Sequence, residues 1–456
     1  MERINAWTQY TEADIQQLEA TAADYRAFLD SGKTERECVK EAIRRAEAKG
    51  FQELKKTERL LPGDKVYVNC MGKALLLFIA GKEPLENGMN IVGAHIDSPR
   101  LDLKQNPLYE EGDLAYLDTH YYGGIKKYQW LVLPLALHGV VAKKDGSVIE
   151  LAIGEKEEDP VFCVSDILPH LGAGQMEKNA AQFVPGESLN VLVGGRPLKG
   201  EEKEPVKQTV LRYLKETYGM EEEDFLSAEI EVVPAGRCRE LGFDRSMLLG
   251  YGHDDRVCGY ASLKAILDIE DIPATTVCCV LADKEEIGSV GATGMQARFF
   301  ENAVAELMLR LGQYSEIALR RALAACRMLS CDVSAGFDPE FADCFETKNT
   351  AYLGRGVCFN KYTGARGKSG SNDANAEYIG KLRRLMDDNQ VFFQTAELGK
   401  VDRGGGGTIA YICALYGMEV IDSGVPVLAM HAPWEIISKA DLYESVKAYT
   451  VFMKLA

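Results

Sequence analysis

The chain has 456 residues, of which 46% are apolar, 9% aromatic and 27% charged; 52 Lys and Arg stand against 69 Asp and Glu, a formal charge of −17. That length is about three times the ~150-residue domain prior, so two domains are expected and a third is allowed, while the composition excludes wholesale disorder, a collagen-like repeat and a coiled coil. The apolar runs fall well short of the ~20 residues of a membrane helix, and the acidic balance argues against a nucleic-acid partner, which clustered Lys and Arg would serve.

The first fifty residues predict two helices. Ile15, Leu18, Ala22, Tyr25 and Leu29 recur at three- and four-residue spacing, one apolar stripe. Thr34-Glu-Arg-Glu37 is a capping-box pattern opening a second helix that ends near Gly50. Strands are expected over 65–69, 74–80 and 89–94. From about 104 the texture becomes β-rich, with strands over 113–119, 130–141 and 147–153 and a Lys-Asp145-Gly146 turn. A charged stretch from Lys199 to Pro205 leads into a helix ending at Gly219. After Pro234 strands and helices alternate: helix 255–268, strand 275–282, a long helical region 296–323, strand 326–331, helix 373–388, strand 391–395, helix 407–417, strand 425–430 and a closing helix 438–454. The alternation implies an α/β class, a mixed sheet flanked by helices.

The twelve cysteines include no Cys-x-x-Cys pair, which excludes a zinc knuckle and a thioredoxin motif. The start, Met1-Glu-Arg-Ile-Asn-Ala-Trp7, lacks the basic segment and apolar core of a signal peptide. A cytoplasmic, reduced protein is expected.

Chemistry concentrates where polar residues follow apolar runs. His95 and Asp97 end one such run and His431 another; Asp254, Glu285-Glu286 and Asp332 follow three more. Ligands of open α/β sheets bind outside the carboxyl ends of the strands, so five strand ends delivering these groups to one edge would form a metal-sized pocket. Two imidazoles with carboxylates suit zinc or a similar divalent ion better than magnesium or calcium. The set exceeds the three protein ligands of one catalytic zinc and fits two metals sharing a carboxylate, for which Asp254 at a helix head is placed. Asp97 is placed to accept the second ring proton of His95. In an extended segment the adjacent side chains of Glu285 and Glu286 point opposite ways, so Glu286 is expected to ligate and Glu285 to act as general base on a metal-bridging water.

His95-Ile-Asp97-Ser-Pro-Arg, Gly-His-Asp254-Asp-Arg, Asp283-Lys-Glu285-Glu286-Ile-Gly-Ser, Cys-Asp332-Val and Met-His431 resemble, in order, the motifs of the aspartyl aminopeptidase family of two-metal exopeptidases. The resemblance covers nearly the whole chain. It implies metal ligation by His95, Asp254, Glu286, Asp332 and His431, a base at Glu285, and a catalytic domain over 1–100 and 235–456 interrupted by a β-rich domain for oligomerisation and substrate gating over 101–234. It further implies a tetrahedral dodecamer, a His170 that reaches a neighbouring subunit's site, and a Lys361 near the family position that pairs with an acidic substrate side chain. Around Lys361 the local match is poor, and the stretch after Asp332 lacks histidines associated with other members.

The expected activity is therefore release of N-terminal Asp or Glu from peptides, with two divalent ions, zinc or else cobalt or manganese. The alternatives are an aminopeptidase or deacylase for neutral substrates on the same site, and a non-catalytic metal-bearing shell, against which the intact Glu285 argues. His120, His138 and His253 are expected to be structural. The Gly404–Gly407 run lacks P-loop spacing, and the Gly364-Ala-Arg-Gly367-Lys-Ser369 stretch has two residues between its glycines where four are needed. Gly405 and Gly406 are candidates for close backbone approach to a peptide substrate.

Overall fold

The computed structural model describes residues 3–364 and 366–456. Met1, Glu2 and Ala365, which belong to the chain-start and Gly364–Ser369 stretches above, lie outside them. The chain divides into two compact units: residues 1–98, 238–430 and 435–456 in the first, 99–237 and 431–434 in the second.

The first unit is built on a nine-stranded mixed sheet, counted among the described residues. Its centre is four adjacent parallel strands, Thr276–Ala282, Met89–His95, Arg327–Cys331 and Glu419–Gly424. Thr276–Ala282 and Met89–His95 are buried at every position, as expected for parallel strands covered on both faces. Alternation then sorts the side chains. Val92, Ala94, Cys279 and Leu281 join one core with the helices Glu12–Ser31, Glu35–Ala48, His253–Leu267, Ala376–Asp388 and Lys439–Leu455. Ile91, Cys278 and Val280 join a second core with Phe299–Arg310, Glu316–Ala324 and Ala410–Ala414. The neighbouring cysteines 278 and 279 thus face opposite layers.

Local signals account for several helix starts. Thr34 accepts from the Glu37 backbone while the Glu37 carboxylate accepts from the Thr34 backbone, closing the capping box. Where the structure differs, the reason is local too. The helical region 296–323 is two helices, Phe299–Arg310 and Glu316–Ala324, because Gly312 takes φ +71° and Ser315 caps a new start. The helix expected over 407–417 is cut to Ala410–Ala414 after its glycine run. The strand expected over 425–430 is shortened to Pro426–Leu428, and the strand just before it, Glu419–Gly424, which lies in a different sheet, was not expected.

A five-stranded sheet in the first unit runs in the order Arg239–Leu241, Met247–Gly250, Glu435–Ser438, Pro426–Leu428 and Ser334–Ala335.

The second unit is a six-stranded antiparallel sheet, ordered Val148–Ile153, Leu135–Ala142, Ala228–Pro234, Arg100–Glu111, Leu114–Tyr122 and Val191–Gly194. Arg100–Glu111 went unpredicted because its polar middle, around the register shift between Leu103 and Leu108, masks the alternation. The strand expected over 130–141 begins only at Leu135, and Trp130 closes a short 3-10 turn, Lys127–Trp130. The helix Pro205–Tyr218 packs on this sheet; Glu110 accepts its first backbone N–H groups from Val206 and Lys207 at 2.8 and 2.9 Å, and Gly219 ends it in the left-handed region.

Candidate metal centre

Three neighbouring parallel strands of the large sheet end at the same edge, and each carries a predicted group. Met89–His95 ends in His95, Thr276–Ala282 leads to Glu285 and Glu286, and Arg327–Cys331 leads to Asp332. The expectation of five strand ends on one sheet edge is corrected here. Asp254 follows Met247–Gly250 of the five-stranded sheet, and His431 lies in a turn three residues beyond Pro426–Leu428 of that same sheet, at φ +65°.

His95 is the hub of what the first unit assembles. It is buried, and its Nδ1 donates to the Asp97 carbonyl at 3.0 Å. A carbonyl can only accept, so the Nε2 lone pair is left for another partner. Nε2 lies 3.3 Å from Asp254 Oδ1, 3.8 Å from Glu285 Oε2 and 4.0 Å from Asp332 Oδ1. His95, Asp254 and Asp332, and likewise His95, Glu285 and Glu286, bring one potential ligand atom each within 4.8 Å of one another.

The electrostatics favour a positive charge among these groups. Burial alone would lower the His95 pKa, but hydrogen bonds to Asp254 and Asp97 and the charges of Glu285 and Asp332 hold it well above its ordinary value. Burial, then the Glu285 charge, pushes Asp332 far above the usual carboxylate range. A divalent cation relieves both at once. The donor set fits one: with ~2.1 Å bonds, the ligand–ligand edge of a tetrahedral zinc site is about 3.4 Å, close to the 3.3 Å between His95 Nε2 and Asp254 Oδ1.

Asp97 does more than the sequence reading assigned to it. Its carboxylate is 3.3 Å from His95 Nδ1 and also accepts the backbone N–H groups of Glu285 and Glu286, each at 3.2 Å. Those two residues are not extended. They open a 3-10 turn, Glu285–Ile287, entered through Lys284 at φ +65°. The reading that they point opposite ways is corrected accordingly, because successive side chains of a helical turn diverge by less than in a strand. Behind the turn, buried Asp283 accepts from Lys284 Nζ and Thr293 Oγ1, both at 2.5 Å.

Asp254 is positioned by groups that sequence reasoning missed. Its N–H donates to Glu435 Oε2 at 2.9 Å, and its carbonyl accepts from Ser98 Oγ at 2.7 Å. Asp254 and Asp255, joined by a cis peptide, leave helical geometry at ψ 106° and 26°. Gly252 precedes them at φ +74°, where a Cβ would lie 2.7 Å from Arg256 Nη1 and 2.8 Å from Ser98 Oγ, so glycine alone fits. Burial holds the neighbouring Asp255 carboxyl well above its usual range. Asp255 and Arg256 were visible within the His-Asp-Asp-Arg run. Glu435, after Pro-Trp, carried no signal.

His431 groups by its contacts with the second unit, where its Nδ1 donates to the Gly124 carbonyl at 2.7 Å. His170 sits exposed in the second unit on the turn Pro169–Leu171. Lys361, half exposed, pairs with Asp373 at 3.0 Å. Gly405 takes φ +139°, and Gly406 N–H donates to the Thr363 carbonyl at 3.2 Å. His253 is structural: its Nδ1 meets the Tyr25 hydroxyl at 2.6 Å, and burial lowers its pKa to about 3. His138 is buried against Glu155 at 3.1 Å.

Residues 28–453 match the model of the aminopeptidase I zinc metalloprotease family, M18. The chain belongs to that family. It is 57% identical over 454 residues, 98% of this chain and 97% of the relative, to a probable M18 family aminopeptidase 1 of Clostridium acetobutylicum. The crystal structure of an M18 family aminopeptidase from Thermotoga maritima superposes with a TM-score of 0.96 at 46% identity, covering 100% of both chains. That of aminopeptidase I from Clostridium acetobutylicum does so at 0.93 and 55%, covering 99% of both. This family membership makes the chain a metallo-aminopeptidase, a hydrolase of the zinc class. Among the described residues, no helix is long and apolar enough to cross a membrane.

Proposed function

We propose that this M18 aminopeptidase holds two divalent metals, zinc in the first place, through His95, Asp254, Glu286, Asp332 and His431, and releases acidic N-terminal residues from peptides. The observation that carries the reading is the buried His95 Nε2 facing Asp254, Glu285 and Asp332 within 4.0 Å. Metals bound there supply Lewis-acid polarisation of the scissile carbonyl and acidify water at neutral pH. The chain's own residues do the rest. Glu285, held through its backbone by Asp97 at 3.2 Å, takes a proton from the attacking water as the C–O bond forms. It returns that proton to the leaving amine as the C–N bond breaks. Asp97 keeps the His95 tautomer and the Glu285 turn in one arrangement.

Lys361 is the cation proposed for the acidic side chain of the substrate. To serve, it must exchange Asp373 for the substrate carboxylate, and that existing pair at 3.0 Å favours the competing reading, a preference for neutral residues. Gly405 and Gly406 would offer backbone to the substrate. His170 would be presented to a second subunit of a homo-oligomer, the tetrahedral dodecamer of the family resemblance; the exposed Leu168 and Leu171 around it, 48% and 71% accessible, support such a contact. Among the described residues no disulfide joins the cysteines, which supports a reduced, cytoplasmic setting.

The test pairs a panel of Asp-, Glu-, Leu- and Met-peptides, with zinc, cobalt or manganese supplied, with a Glu285→Gln variant. We expect Asp and Glu peptides to be preferred, and the variant to lose roughly 10²–10⁴-fold in kcat while retaining its metal. Preference for Leu or Met removes the acidic assignment, and unchanged hydrolysis in the variant removes the mechanism.

A further inference from the structure

The second unit holds a cavity of about 330 Å³ whose lining residues all lie between 103 and 230. Its origin is a mismatch of widths. Six strands span about 24 Å, whereas a helix is only about 10 Å across. The helix Pro205–Tyr218 packs against Arg100–Glu111, Leu114–Tyr122 and Val191–Gly194. The cavity extends from that helix to Leu137, Leu151 and Ile230 on the other three strands. A packed interior leaves few voids larger than a water molecule, and this volume falls within the ~300–1,000 Å³ of small-molecule pockets.

The inner wall is apolar. Leu117, Leu137, Leu151 and Ile230 of the sheet and Val206 of the helix line it, and all are buried. Among the described residues no Asp, Glu, Lys or His does. The hydroxyl of Thr209, on the helix, donates to the Pro205 carbonyl at 3.3 Å and is thereby satisfied. The mouth differs. Its exposed lining residues are Pro160, Gly195, Arg196 and Tyr213. Arg196 is the one charged group among them, and it makes no ion pair among the described residues.

We propose that this cavity binds a single-chain amphiphile, a medium-length alkyl carboxylate whose chain fills the apolar interior and whose head meets Arg196. Water gains no hydrogen bonds in an apolar cavity, so such a space is either dry or filled by an apolar molecule. The open mouth gives an alkyl chain a way in. A bare hydrocarbon would leave Arg196 unused, whereas a terminal carboxylate accepts from its guanidinium at the solvent boundary.

The test is calorimetric titration of the metal-loaded enzyme with octanoate, decanoate and 1-octanol, each below the concentration at which it aggregates. We expect saturable binding, with decanoate about tenfold tighter than octanoate through two more buried methylenes, and octanoate tighter than the alcohol. Val210→Phe, which fills the cavity from the helix, should weaken decanoate by about tenfold or more. Arg196→Gln, at an exposed position, should weaken both carboxylates about two- to fivefold and leave the alcohol unchanged; it is the second probe should Val210→Phe unfold. Absence of saturable binding, no gain from octanoate to decanoate, or equal binding by wild type and Val210→Phe overturns the proposal. Equal carboxylate binding by wild type and Arg196→Gln overturns the anionic head. A carboxylate held at the metal centre instead would inhibit peptide hydrolysis and bind both variants as it binds wild type, which also overturns the assignment.

Discussion

The carboxylate of Asp97 accepts the backbone N–H of Glu285 at 3.2 Å, although 188 positions separate the two residues. Through its second oxygen, Asp97 takes the neighbouring N–H of Glu286 as well, and it also stands 3.3 Å from His95 Nδ1. One buried side chain thereby joins the ends of two adjacent strands.

Asp97→Ala should therefore disturb more than a histidine tautomer. Metal affinity should fall by roughly 10–100-fold, and kcat should fall even when metal is resupplied to saturation, because the Glu285 turn loses both of its anchors. Metal analysis and kcat measured across a zinc titration check this. Full recovery of kcat at saturating metal would reduce Asp97 to a partner of His95 alone.

Glu435 holds the N–H of Asp254 at 2.9 Å from a strand of the other sheet of the first unit. Glu435→Gln keeps an acceptor there, and Glu435→Ala removes it. We expect the alanine variant to bind metal about 10–100-fold more weakly and the glutamine variant to lie close to wild type. Equal losses in the two variants would show that the charge of Glu435, and not its hydrogen bond, is what matters.

Chelation should destabilise the fold as well as stop hydrolysis. Without a cation, Asp254, Glu285 and Asp332 crowd one imidazole, and the free energy of metal binding is lost from the native state. At a metal concentration of 1,000 times Kd that contribution is about 4 kcal/mol. Scanning calorimetry with chelator, and again after metal is restored, should show Tm falling and recovering; an unchanged Tm would mean that the cluster is stable without metal.

Asp441 supplies a pH dependence remote from the metal centre. Burial raises its pKa from 3.8 to about 8, against the opposing backbone donors of Gly354 and Gly356, each at 2.7 Å. Between those values the folded chain holds a proton that the unfolded chain has released. The contribution of Asp441 to stability is thus present below pH 3.8 and lost as pH rises towards 8, with a slope of at most about 1.4 kcal/mol per pH unit. In Asp441→Asn this component should vanish, so denaturant unfolding at pH 5 and pH 8 should differ less than in wild type. An equal difference would place the titration elsewhere.

How much was legible followed from how local each signal is. The strands at 89–94 and 275–282 could be predicted because parallel strands covered on both faces are apolar throughout. Arg100–Glu111 could not, because its polar stretch around the register shift hides the period of two. The capping box at Thr34 needs four residues, and all four are adjacent. The support of Asp254 by Glu435 spans 181 positions, and nothing near Glu435 announces it.

Sequence alone determined the chemistry on offer: two strand-following histidines, a set of carboxylates in a family-specific order, an α/β alternation and an acidic balance. Those are properties of residue type and spacing along the chain. Tertiary structure decided which groups meet. Three of the predicted strand ends share one edge and Asp254 joins them from a second sheet, because strand order follows hydrogen-bonding partners and not chain order. Packing likewise gave Asp97 its two backbone donors and committed Lys361 to Asp373. Residue type and net charge are read along the chain, whereas a site depends on distance in space, which only the fold sets.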